Sequence, residues 1–102
     1  MKEYLFLIDT VLGFSVRTTK LYWDKVCFKH PELIDKLEDI KKTLKNPTEI
    51  RKSKTDEMVF LFYIESDKYW LSVVAKKENE IGFLVTAYIT DKIKEGEKIW
   101  PK

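Results

Sequence analysis

The chain has 102 residues, 44% hydrophobic and 14% aromatic, which suits one compact core and leaves too little for two. Charge is dense but nearly balanced, 19 Lys and Arg against 17 Asp and Glu, and a net +2 excludes an extreme polyanion-binding tail. A single cysteine excludes a disulfide framework or a multi-cysteine zinc site, and a single histidine excludes a two-histidine acid–base pair.

In chain order, the apolar run at residues 4–8 is bracketed by Glu3 and Asp9, and no small-residue cleavage site follows it. It is too short for a signal peptide or a membrane helix, so a strand over 3–9 is expected. A turn at 10–13 leads to a second strand over 14–18, where Phe14 and Val16 alternate with Ser15 and Arg17. Thr18 or Thr19 can then cap a helix over 20–29, with Tyr22, Trp23 and Val26 on its apolar side. Pro31 ends that helix and can open the next. Leu33, Ile34, Leu37, Ile40 and Leu44 form one stripe of an amphipathic second helix, acidic early and basic late as the helix dipole favours. Asn46 and Pro47 stop it, and Thr48 is expected to cap a short turn through Arg51.

From Met58 the residues become β-branched and aromatic. Strands are expected over 58–65, 69–76 and 82–90, with turns centred on Ser66 with Asp67 and on Glu78 with Asn79. The order β-β-α-α-β-β-β segregates strands from helices, which predicts a single α+β domain over residues 1–102, an antiparallel sheet with helices packed on one face.

Alternation divides that sheet. A turn at Ser66 and Asp67 would pair Tyr63 with Trp70, and the next would set Ser72 near Thr86. One face then holds Met58, Phe60, Phe62, Ile64, Leu71, Val73, Ala75, Phe83, Val85, Ala87 and Ile89, and is expected to carry the helices. The other collects Tyr63, Trp70, Ser72, Lys76, Thr86, Tyr88 and Thr90. Hydroxyls, an ammonium and aromatic rings together suit a phosphate-bearing ligand. Tyr and Thr are also good strand formers, so the same pattern describes the wetter side of a two-sided sheet.

A basic stretch runs from 41 to 54, where Lys41, Lys42, Lys45, Arg51, Lys52 and Lys54 face Glu49 alone, a pattern that can track a nucleic-acid backbone. The first three equally suit a solvated helix end. Arg51 can clamp a phosphate, or pair with Asp56 or Glu57. His30, the one side chain that titrates near neutrality unperturbed, is the default acid or base; before a proline it is also a common cap. Cys27 lies among core residues and is expected to be buried and inert. Gly13, Gly82 and Gly96 are isolated, so there is no phosphate-cradling loop, and no carboxylate cluster has the spacing of a metal nuclease. A soluble, cytoplasmic domain without metal or cofactor is expected.

Several blocks then occur in order: KHPEL (29–33), TLKNPTEIRKS (43–53), FLFY (60–63), VVAK (73–76), GFLVTAYIT (82–90) and IKEGEKIW (93–100). Together, over about residues 17–100, they resemble the phage-associated branch of the Barnase–EndoU–colicin–RelE nuclease superfamily. The resemblance implies helices on an antiparallel sheet and a metal-independent ribonuclease, often a toxin. It carries the KHP histidine onto His30, the IRxS arginine and serine onto Arg51 and Ser53, and the strand tyrosine onto Tyr63. The lysine after the apolar strand falls on Lys76, and the TAY threonine and tyrosine on Thr86 and Tyr88.

Cleaving RNA without metal requires a base for the 2′-OH proton, an acid for the leaving oxygen and cations around the phosphate. The expected set is His30 as base or acid, Arg51 and Lys76 on the phosphate, Thr86 and Tyr63 positioning it, and Trp70 or Tyr88 stacking a base, with Ser53 and Lys54 as further substrate contacts. With one histidine, Tyr63, Lys76 or Lys54 would supply the second proton-transfer group. The partners expected are RNA and, for a toxin, an antitoxin or immunity protein over the basic face. A non-catalytic RNA- or protein-binding module on the same fold is the alternative.

Overall fold

The computed structural model describes residues 3–93 and 95–101. Strands β1 (Phe6–Asp9) and β2 (Ser15–Thr18) form an antiparallel hairpin. Thr19, in extended conformation, accepts the Tyr22 N–H and caps α1 (Lys20–Lys29), whose Trp23, Val26 and Cys27 are buried at i, i+3 and i+4.

The second helix is shorter than its apolar stripe predicts. Pro31–Leu33 is a single 3-10 turn, closed by Leu33 N–H to His30 C=O and Ile34 N–H to Pro31 C=O. Helix α2 begins only at Leu37 and runs to Lys45. Leu33, Ile40 and Leu44 are fully buried, each a gain of about 1.5–3 kcal/mol, whereas Ile34 is left exposed on the outside of the turn.

Seven strands form one sheet in the order β1-β2-β6-β5-β4-β3-β7. The others are β3 (Glu49–Lys52), β4 (Val59–Ser66), β5 (Tyr69–Glu78), β6 (Ile81–Thr90) and β7 (Glu97–Trp100). All pairs are antiparallel except β2 with β6. The element order is the expected α+β one with two additions. Residues 49–52 pair as a strand with β4 and β7 instead of turning, burying Ile50 completely, and β7 closes the far edge.

Both long hairpins turn one residue later than expected, at Asp67 with Lys68 and at Asn79 with Glu80. Asp67 and Asn79 take positive φ, which Asp and Asn tolerate better than most residues. Tyr63 therefore faces Ser72, and Ser72 faces Tyr88. A slip of two preserves every face, because side chains alternate with period two.

One irregularity does change faces. The β5–β6 register shifts between Val74 and Ala75, so Val74 faces Thr86 while Ala75 faces Leu84. This bulge moves Leu84 into the main core and takes Phe83 and Val85 out of it, against the expected pattern. Met58 likewise lies outside β4 and is exposed. Trp23, Val26, Leu33, Ile40 and Leu44 pack with Phe62, Val73, Ala75 and Ala87 on the covered face. No helix among the described residues is long and apolar enough to cross a membrane.

Candidate functional site

The other sheet face is built in cross-strand rows. Tyr88, Ser72, Tyr63 and Glu49 make one row across β6, β5, β4 and β3; Thr86, Val74, Leu61 and Arg51 make the next. The middle of this face is a second small core of Leu61, Tyr63 and Val74, packed by Val59, Trp70, Val85, Tyr88 and Ile93. Ile93 belongs to the connection from β6 to β7, strands that lie four positions apart in the sheet. Ile93 therefore lies over this face, and Gly96, further along the connection, sits beside Lys52 of β3, so the described part of the crossover covers some of what alternation alone leaves open.

This cover decides which polar residues reach solvent. Tyr63 is 1% exposed and its ring meets Trp70 edge-on at 6.5 Å between centroids. Burial, and then the neighbouring Tyr88, push the Tyr63 phenol well above its ordinary range, so it stays protonated. Ser72 is fully buried beside it, and its hydroxyl has no hydrogen-bond partner of good geometry among the described residues.

The two expected phosphate cations are held elsewhere. Arg51 Nε donates to Glu49 Oε2 at 2.6 Å and its guanidinium also reaches the Gly96 carbonyl at 3.2 Å. Lys76 Nζ lies 3.1 Å from Asp56 Oδ2. The Met58 N–H, followed by Lys76, holds the Asp56 carboxyl below its usual range. Ser53 accepts the N–H groups of Thr55 and Asp56 and so shapes its own loop, with Lys54 exposed beside it. The basic stretch is also divided. Lys41 pairs with Glu38 on α2, on the helix side of the sheet, while Arg51 projects on the other.

His30 does meet part of the predicted set. It caps α1 at its C-terminus, its N–H bonded to the Val26 carbonyl, and its half-buried ring lies 6.5 Å from that of Tyr88 at 38°. The reason is topological. β6 pairs with β2 only over Ile81, Gly82 and Phe83, so beyond that point no strand among the described residues flanks its outer edge. Helix α1 lies there instead, and the Tyr22 hydroxyl donates to the Val85 carbonyl at 2.6 Å.

Between helix and strand runs a cleft of about 500 Å³ lined by Tyr22, Lys25, Val26, Lys29, His30, Val85 and Thr86. Glu32 Oε2 lies 3.7 Å from His30 Nδ1, within ion-pair reach of a protonated ring. Arg51 is three strands away from Thr86, about 14 Å at the usual strand spacing, and cannot share a hydrogen-bonded phosphate with His30 across that gap.

The structure thus brings together His30, Thr86 and Tyr88, and leaves Arg51, Ser53, Lys54, Tyr63, Trp70 and Lys76 outside the cleft, Tyr63 and Trp70 packed in the small core. Lys25, Lys29 and Tyr22 join it without having been singled out. Their signal was available, since 22, 25 and 29 follow helical spacing on the side away from Trp23 and Cys27. Among the described residues there is no cluster of His, Cys, Asp and Glu able to hold a metal. Comparison with protein-family models, curated proteins and solved structures finds no match to the chain.

Proposed function

We propose that this chain is a metal-independent endoribonuclease of the superfamily its sequence resembles, working from the cleft between α1 and β6. The supporting observation is the approach of the only histidine to Thr86 and Tyr88. In this reading a 2′-oxygen attacks the adjacent phosphorus while the P–O5′ bond breaks. The products are a 2′,3′-cyclic phosphate and a free 5′-hydroxyl. His30 takes the 2′-OH proton or delivers one to the departing O5′, water serves the other of these two transfers, and the Thr86 hydroxyl donates to a non-bridging phosphate oxygen. Tyr88, beside the imidazole, offers a face for a base. In a toxin, an antitoxin or immunity protein would act by covering this cleft.

A second reading, an RNA-binding module without cleavage, is favoured by one specific observation. Of the three groups expected to supply the second proton transfer, Lys76 is paired with Asp56, Tyr63 is buried, and Lys54 lies outside the cleft.

Incubating the protein with mixed RNA in EDTA separates the two. Cyclic-phosphate ends from the wild type that disappear in folded His30→Ala, and fall at least tenfold in Thr86→Val, support the nuclease. RNA retained by the folded wild type without new ends transfers the assignment to the binding module.

A further inference from the structure

Resting on the cleft assignment above, we infer that Lys25 and Lys29 are its phosphate-holding edge and that its ligand is single-stranded RNA. Both lysines are exposed, lie one helical turn apart on α1, and line the same cleft as His30 and Thr86. Side chains at i and i+4 start about 6 Å apart, the scale of neighbouring phosphates along one strand. The acidic residue nearest them in the helix, Asp24, is already bound by Lys20 at 2.6 Å. Neither Lys25 nor Lys29 forms an ion pair among the described residues. This is the opposite of Arg51 and Lys76, whose charge a carboxylate already offsets.

Shape selects the single strand. His30 is half-buried at the junction of helix and strand, so its ring is reached by a backbone that can bend into the cleft, and an A-form duplex holds its backbone on a stiff cylinder. A duplex also holds each 2′-oxygen off the line of its P–O5′ bond, whereas a single strand can rotate into it. The rings of Tyr22 and Tyr88, one lining the cleft and the other next to His30, give unpaired bases a surface.

The test is fluorescence anisotropy with a labelled mixed-sequence single-stranded RNA and a blunt RNA duplex. Both are titrated against His30→Ala protein so that cleavage cannot remove the probe. In that background Lys25→Ala with Lys29→Ala should weaken single-strand binding about tenfold and flatten the log–log salt slope by about 1.4, two phosphates at about 0.7 each. Lys45→Ala, remote from the cleft, should change it less than twofold, and thermal melts should match throughout. Duplex binding should be at least tenfold weaker than single-strand binding.

An unchanged affinity and salt slope in the double lysine variant would overturn the inference, as would equal binding of duplex or a loss that follows Arg51→Ala and Lys76→Ala instead. The two readings fail separately. Lysine-dependent binding with no cleavage by the wild type removes the nuclease and leaves the subsite; cleavage insensitive to both lysines does the reverse.

Discussion

Three glycines separate two costs that are usually mixed. Gly13 sits at φ +91° with nothing within 4 Å of where a Cβ would stand, so Gly13→Ala should show only the conformational cost, about 1–2 kcal/mol. Gly82 has no positive φ, but an added Cβ would run into the Lys76 carbonyl oxygen on β5. A backbone atom of a central strand cannot rotate away, so Gly82→Ala should cost about 1–3 kcal/mol from crowding alone. Gly96 combines both: φ is +83° and its Cβ would lie 2.6 Å from the Lys52 carbonyl oxygen and 3.2 Å from the Arg51 Cβ.

Gly96→Ala should therefore lose roughly the sum, about 2–5 kcal/mol, and melt lower than Gly13→Ala by the steric share at about 4–8 °C per kcal/mol. Urea unfolding followed by tryptophan fluorescence gives each value, provided the m-value is unchanged. Gly96→Ala no less stable than Gly13→Ala would show that Gly96 does not press on β3. A Gly82→Ala protein within about 0.5 kcal/mol of wild type would refute the tight approach of β6 to β5 at the Lys77–Gly82 pair.

Two further outcomes follow from the titrating groups. Burial, and then Asp24, push the Cys27 thiol above its ordinary 9.0, so a neutral-pH thiol reagent should label native protein far more slowly than unfolded protein; equal rates would refute the burial. The folded Asp56 carboxyl titrates below its ordinary 3.8, so its contribution is present above that pH and is lost as pH falls through the lowered value. Asp56→Asn should accordingly melt below wild type at neutral pH, with the gap shrinking as pH falls below 3.8, and a gap independent of pH would sink this account.

Much of the fold is legible because strand alternation survives small errors. The β4–β5 and β5–β6 turns fall one residue later than read, yet Tyr63, Ser72 and Tyr88 still share a face, since the pairing slipped by two. The bulge beside Val74 leaves no such protection. One extra residue exchanges Val85 for Leu84 in the core, and nothing in GFLVTAY distinguishes the two leucine-like positions beforehand. The short strands were hidden for a different reason. Residues 49–52 follow Asn46 and Pro47 and carry three charged residues in four, so local propensity favours a turn. Pairing with β4 on one side and β7 on the other, with Ile50 buried between, overrides it.

The site was less legible than the fold because alternation assigns a residue to a face and says nothing of what crosses that face. Tyr63 and Ser72 belong to the polar row, but Ile93, in the connection that returns to β7, packs over Tyr63, and that route depends on where a strand far along the chain finds its partner. The open cleft has an equally non-local origin. It exists because β2 is only four residues long and leaves the outer edge of β6 to α1. One part was readable locally. Glu49 and Arg51 are two apart, and once 49–52 is a strand they must project on the same side. The 2.6 Å ion pair then follows from spacing, and with it the fact that a carboxylate already offsets the Arg51 charge.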